Sequence, residues 1–177
     1  FNRIKKFLDF DTLEKLIHCF ISSKLDYCNS LFLGLPDTLI NRLQRVQNAA
    51  ARILTGWSRL DHVSPVLFQL HWLPVGARVK FKILVLMHQC FYKSAPPYMS
   101  DIIEPLSCNR TLRSADQCFL RVPFTDSTFI LNRSYTVAGP RMWNLLPLEL
   151  RSIADVTTFK RLLKTVLFRD SYAMFLH

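Results

Sequence analysis

Arginine and amide side chains recur along one stretch of the sequence, Leu43 to Leu54, which reads LQRVQNAAARIL. On a helix, three arginines and one asparagine fall on a side that carries no carboxylate: Arg42, Arg45, Asn48 and Arg52. Arginine binds phosphate through a planar fork of donors, and amides hydrogen-bond to sugars and bases. The pattern therefore predicts a surface that binds an anionic polymer. The alternative interpretation is a solvated basic face on an ordinary helix.

The other side of this helix is apolar, which predicts how the helix packs on its core. Its apolar stripe consists of Leu39, Leu43, Val46, Ala50 and Ile53. Asp37 precedes the helix and Gly56 follows it, so we expect a helix from about Asp37 to Leu54.

Further cations extend the predicted binding surface. Between Asp37 and Lys93 there are eight basic and two acidic residues, so this segment holds +6 of the formal net charge of +10. Such a concentration of one sign favours binding to a polyanion. The predicted nucleic-acid-binding residues are Arg42, Arg45, Asn48, Arg52, Arg59, Arg78, Lys80 and Lys82.

The composition indicates a helical protein with enough apolar material for a core. Half of the 177 residues are hydrophobic, and the chain has 4 glycines and 9 prolines, a balance typical of helices with firm stops. The sequence has no run of about 18 apolar residues and no signal-peptide pattern. We therefore predict no membrane partner and an intracellular location, cytoplasmic or nuclear. The first residue is Phe1 instead of methionine, so we expect either a processed product or, as the favoured interpretation, a piece of a longer protein.

No pattern of metal ligands or catalytic groups is present in the sequence. The five cysteines include no CxxC pair, and the five histidines supply no second pair of ligands. We predict no metal, no cofactor and no catalytic residue. The odd number of cysteines indicates reduced thiols, and we expect most of them to be buried.

Hydrophobic periodicity predicts a mainly α protein with two parts. The first, residues 1–103, is a helical bundle. Its predicted helices are Asp11 to Phe32, Asp37 to Leu54, Ser64 to Leu70, Val75 to Tyr92 and Tyr98 to Ile103.

The second part, residues 104–177, is predicted to be an irregular segment with a short β element and a C-terminal helix. Cys118 to Val122 alternates like a strand, and Phe129 to Leu131 is its expected partner. Gly139-Pro140 is expected to break the backbone, and the last helix is expected from Val156 to Phe168.

Four motifs, taken in order, resemble one family. They are SKLDYCNSL at Ser23 to Leu31, the arginine-rich LQRVQNAAARIL, HWLP at His71 to Pro74, and AGPRMWN at Ala138 to Asn144. Their order and spacing are similar to the C-terminal region of LINE-type non-LTR retrotransposon reverse transcriptases, and the resemblance covers essentially the whole chain. It implies the thumb helices and the tail beyond them. In that family the thumb holds the template–primer duplex, and the tail is thought to engage the element's RNA or the target DNA.

The resemblance also implies what this region does not contain. The palm of these polymerases carries paired aspartates that hold two Mg²⁺ ions for nucleotidyl transfer, and this sequence has no Asp-Asp pair. We therefore expect a non-catalytic nucleic-acid-binding region, with an RNA/DNA duplex or element RNA and the upstream palm domain of the parent polyprotein as partners. The alternatives are a helical protein-interaction module and an inactive retroelement remnant.

Overall fold

The protein is mainly helical, as the periodicity predicts. A computed structural model describes residues 4–58, 60–106, 118–124 and 133–175. The helices within these ranges are α1 (Phe10–Ile17), α2 (Ser23–Asp26), α3 (Asp37–Thr55), α4 (Ser64–Gln69), α5 (Val75–Phe91), α6 (Pro97–Ser100), α7 (Tyr135–Asn144), α8 (Leu148–Arg151) and α9 (Val156–Ser171). In the same part of the chain, no helix has the length and apolar character that a bilayer crossing requires.

The first predicted helix begins earlier and ends earlier than expected. Asp9 caps α1, because its carboxylate accepts a hydrogen bond from the Thr12 amide at 3.4 Å. A π-helical turn, His18–Ser22, joins α1 to α2. The helix ends before Cys28, which has a left-handed φ of 51°, and a 3₁₀ turn follows at Asn29–Phe32. The prediction of one helix to Phe32 is wrong for these last residues.

The described residues form two compact units. Unit 1 contains the chain up to Val79 together with the segment from Leu167 onward, and unit 2 is Lys80–Val166. The predicted division into 1–103 and 104–177 stays a prediction.

The core of unit 1 joins segments that are distant in sequence. α3 contributes two alanines and one leucine, and Tyr172, which directly follows α9, completes the cluster. The Tyr172 hydroxyl donates to the main-chain oxygen of Trp72 at 2.6 Å. The buried members are Leu13, Ile17, Ala50, Ala51, Leu54, Val66, Leu67, Trp72 and Tyr172.

The core of unit 2 is built around Trp143 and Phe159, which are both fully buried. The Trp143 indole N–H donates to the main-chain oxygen of Cys118 at 2.8 Å. A Cβ added to Gly139 would lie 2.7 Å from the end of the Met87 side chain, so a larger residue there would require Met87 to shift. The predicted break at Gly139-Pro140 is wrong, because both residues lie inside α7.

The predicted short β element is not supported. Within the described residues there is one isolated antiparallel bridge, between Pro105 and Leu120, and no strand. The Asn144 side chain accepts from the Leu120 amide at 2.9 Å and donates to the Leu120 carbonyl at 2.8 Å. A side-chain amide therefore satisfies main-chain groups that a neighbouring strand would otherwise pair. The expected partner strand, Phe129 to Leu131, lies outside the described residues.

His88 is buried in unit 2 as a neutral imidazole. Its Nε2 lies 2.7 Å from the main-chain oxygen of Ile153, which only accepts, so Nε2 carries the proton. Its Nδ1 is buried with no hydrogen-bond partner among the described residues. A second proton would have no acceptor there. Burial lowers the pKa of His88, while the hydrogen bond to Ile153 and the charge of Asp155 oppose this effect and the charge of Lys160 adds to it.

We expect this histidine to make the protein less stable in mild acid. Below about pH 6.5, His88 binds a proton in the unfolded chain but not in the folded protein. The free energy of unfolding therefore falls as the pH falls. The loss approaches about 1.4 kcal/mol per pH unit until the folded pKa is reached. Urea denaturation between about pH 6.5 and pH 5 measures it. His88→Gln keeps a donor for Ile153 without titrating, so its slope should be smaller. Equal slopes would show that His88 titrates normally.

Candidate nucleic-acid interface

Helix α3 packs within unit 1 through a face that is rotated from the predicted one, although Ala50 is buried and Ile53 packs on the core as predicted. Its buried residues are Gln47, Ala50, Ala51 and Leu54. Leu39 and Val46 of the predicted stripe are 40% and 47% exposed. The prediction that these two side chains face the core is therefore wrong, and the helix is rotated toward Gln47.

Buried amides explain this rotation. Gln47 Nε2 donates to the main-chain oxygen of Leu73 at 2.9 Å, and Gln47 Oε1 accepts from Gln44 at 2.9 Å. Gln44 Oε1 in turn accepts from the Val75 amide at 2.8 Å. Because each buried amide has partners, its burial carries little penalty. These contacts fix α3 against the corner that leads into α5.

Arg42 and Arg45 point away from this core. Both side chains are exposed, and neither forms a hydrogen bond or ion pair with the residues that the structure describes. The only carboxylate on α3 is Asp37, in its first turn. Nothing on the helix itself therefore neutralises the two guanidinium groups.

The other predicted residues of α3 have structural partners. Asn48 is half-buried and accepts a hydrogen bond from Gln44 at 2.8 Å, and it lines a separate cavity of about 310 Å³. Arg52 donates from Nε to the main-chain oxygen of Ser58 at 3.2 Å, and from Nη2 to that of Asp61 at 3.0 Å. Since both acceptors are neutral, Arg52 holds the following loop and keeps its full charge.

The remaining predicted cations do not lie on α3. Arg78 is half-buried, pairs with Asp26 at 2.8 Å and donates to the main-chain oxygen of Leu73 at 2.9 Å. It therefore anchors α5 within unit 1. Lys80 and Lys82 are exposed and belong to unit 2. Arg59 lies outside the described residues.

A groove of about 740 Å³ runs along the exposed side of α3. Arg45 and Arg52 line it, two helical turns apart, with Ala49 between them. The C-terminal end of α3 closes it: Gly56 ends the helix with φ 79°, and Trp57 lines the groove directly after it. We call this feature the α3 groove.

Lys5 adds a third cation to the α3 groove. It lies in the 3₁₀ turn Lys5–Phe7, and its Nζ is 3.8 Å from the position that a Cβ on Gly56 would occupy. The carbonyl groups at the end of a helix favour a cation in this place. The described residues that line the groove include no carboxylate.

Two residues of the groove, Lys5 and Trp57, are not among the binding residues that the sequence predicts. Lys5 is 40 or more residues from Arg45 and Arg52, so no local pattern connects it with them. Trp57 could have been predicted from its neighbours in the sequence. A large aromatic side chain directly after the glycine that ends a basic helix is a candidate for stacking on a base.

The described part of the chain holds no group of three or more residues that would bind a metal ion. Of its cysteines, Cys90 is buried and Cys118 half-buried, whereas Cys19 and Cys28 are exposed. The expectation that most thiols are buried is wrong for those two. Comparison with protein-family models, with curated proteins and with solved structures gives no match.

Proposed function

We propose that this chain is a non-catalytic nucleic-acid-binding region, corresponding to the thumb and tail of a LINE-type reverse transcriptase. The observation that carries the proposal is the α3 groove with its neighbour Arg42. Three arginines of α3 and Lys5 at its C-terminal end make four cations, and the described lining of the groove contains no carboxylate. Such a surface attracts a phosphate backbone and releases its counterions. The order of the four sequence motifs supports the family assignment.

Under this proposal, the cations have different tasks. Arg42 and Arg45 form no hydrogen bond or ion pair with the described residues, so their side chains are available to phosphates. Arg52 is held in place by two main-chain oxygens, so little conformational freedom is lost when a ligand binds. Arg78 is better described as an internal anchor, because its guanidinium already pairs with Asp26.

A protein-interaction module is the second candidate function. Several large apolar side chains of unit 1 are open to solvent, among them Phe20, Tyr27 and Leu31, which are 63%, 76% and 75% exposed. In the parent polyprotein, such side chains would pack on the upstream palm domain. The two functions differ in their salt dependence, because apolar association changes little with salt whereas phosphate binding weakens steeply.

Removing two arginines should flatten the salt dependence of duplex binding. We expect the slope of log affinity against log salt for an RNA–DNA duplex to be about −4, from four or five phosphate contacts. Arg42→Gln with Arg45→Gln should reduce that slope by about two units and weaken binding similarly on every sequence. Fluorescence anisotropy between about 50 and 200 mM salt measures both quantities.

The matched control removes the same charge elsewhere. Lys160→Gln with Lys164→Gln alters two exposed lysines of α9, and glutamine preserves helix propensity in both variants. Each pair should change stability by less than about 1 kcal/mol, because the substituted side chains are exposed. Equal losses of affinity in both variants would indicate diffuse attraction to a basic protein. Absence of salt-dependent binding would favour the interaction module or the inactive remnant.

A further inference from the structure

We infer that the α3 groove binds one unpaired nucleotide of a single-stranded segment, with its base stacked on Trp57 and its phosphate held by the groove's cations. This inference rests on the proposed function and specifies the ligand of the same surface. A groove of about 740 Å³ lies within the range of small-molecule sites, whereas a smooth basic face would offer no enclosed space.

Trp57 is unlike the other two tryptophans of the chain. It is 40% exposed, whereas Trp72 and Trp143 are 4% and 0% exposed and belong to the cores. Within the described residues, Trp57 forms no ring–ring or cation–π contact. An exposed indole forgoes the stabilisation that burial of its apolar surface would give. Its position beside three cations therefore favours a ligand that has both a flat apolar face and a negative charge. A nucleotide has both.

The cations surround the place where a phosphate would lie. Arg52 uses two of its five donors on Ser58 and Asp61 and retains the others for a ligand. Arg45 lies two turns earlier on the same wall, and Lys5 lies at the Gly56 end beside Trp57. The apolar part of the lining, Ala49 and half-buried Ile53, offers a surface on which a flat ring can pack.

A paired base does not fit this arrangement. In a duplex, each base is stacked between neighbours and its face is not available to an indole, whereas an unpaired base can stack on an aromatic side chain. An inorganic phosphate or an acidic peptide would use the cations but would leave Trp57 without a role. The combination of groups therefore favours a single-stranded segment, such as the unpaired end next to a duplex.

The test compares a short single-stranded oligonucleotide with a matched abasic one, which has the same phosphates and no bases. We expect the full chain to bind the oligonucleotide with bases about 5- to 150-fold more tightly, the range typical of one stacked base. Binding should also quench tryptophan fluorescence, and Trp57 is the only tryptophan exposed enough to respond. Trp57→Ala should lose the preference for bases and the quench, while keeping the salt dependence.

Two further variants keep the test decisive. Trp57→Phe keeps an aromatic face, so it should retain part of the preference and lose the quench. Tyr27→Ala removes a more exposed aromatic side chain, 76% against 40% for Trp57, that does not line the groove, and it should behave like the wild type. If Trp57→Ala binds both oligonucleotides as the wild type does, the stacking site is wrong although the proposed function stands. If neither duplex nor single strand binds, the proposed function is wrong and this inference fails with it.

Discussion

Trp143→Ala is expected to lower the free energy of unfolding by about 3–5 kcal/mol. The Trp143 side chain is fully buried in unit 2, and its ring lies 5.6 Å from that of Phe91 and 5.8 Å from that of Phe159. Truncation leaves a cavity between these rings and removes the indole donor from the Cys118 carbonyl, 2.8 Å away. Chemical denaturation monitored by circular dichroism measures the loss.

Two variants separate packing from the hydrogen bond. Trp143→Phe retains most of the ring and loses the donor, so it should cost about 1–2 kcal/mol. Leu145→Ala lies two residues further on, is 84% exposed, and should stay within about 0.5 kcal/mol of the wild type. If Trp143→Ala were as stable as Leu145→Ala, Trp143 would not be the anchor of this core.

The sequence predicted where helices lie because their limits are local. Helix α3 was expected from Asp37 to Leu54 and spans Asp37–Thr55, and α5 was expected from Val75 to Tyr92 and spans Val75–Phe91. Glycine and proline next to periodic apolar residues determine these limits, and both signals are read within a few positions of the chain. No glycine or proline adjoins the C-terminal helix, which its apolar periodicity alone predicts, and it runs three residues further than predicted, to Ser171.

The sequence did not predict which face of a helix is buried where the partner is distant. Gln47 is polar, so its sequence context predicts an exposed side chain. It is buried because Leu73, 26 residues away, accepts its hydrogen bond. Arg78 reads as a free cation, yet Asp26, 52 residues away, pairs with it. Periodicity contains no information about such partners, so part of the predicted binding surface turned out to have internal contacts.

The same limit explains the error in α7. Gly139-Pro140 has poor helix propensity, which predicts a break. The helix nevertheless continues through both residues, which are buried in unit 2, where Gly139 lies directly against the Met87 side chain. Tertiary packing outweighs local preference here, and the candidate groove follows the same rule, since only the fold brings Lys5 to the end of α3.

Tyr172→Ala should destabilise unit 1 by about 3–5 kcal/mol, although Tyr172 is the last residue before the final 3₁₀ turn. Its ring is 3% exposed and lies 4.8 Å from that of Phe168 and 5.7 Å from that of Phe68. Burial raises its pKa to about 12, as expected of a phenol that has little contact with water. The same core cluster contains Ala50 and Ala51, so the loss of the ring also weakens the support of α3.

Tyr172→Phe isolates the hydroxyl group, which donates to the Trp72 carbonyl at 2.6 Å. This variant should lower the free energy of unfolding by about 1–2 kcal/mol, because the ring still fills the core and only the hydrogen bond is lost.

Tyr172 also connects the stability of unit 1 to nucleic-acid binding. Well below its unfolding temperature, Tyr172→Phe should bind duplex with the affinity and salt slope of the wild type, because Tyr172 does not line the α3 groove. Tyr172→Ala should lose affinity only as unit 1 unfolds, so its loss of binding and its loss of helical signal should coincide on heating. A loss of affinity in a fully folded Tyr172→Phe would contradict the assignment of binding to the exposed side of α3.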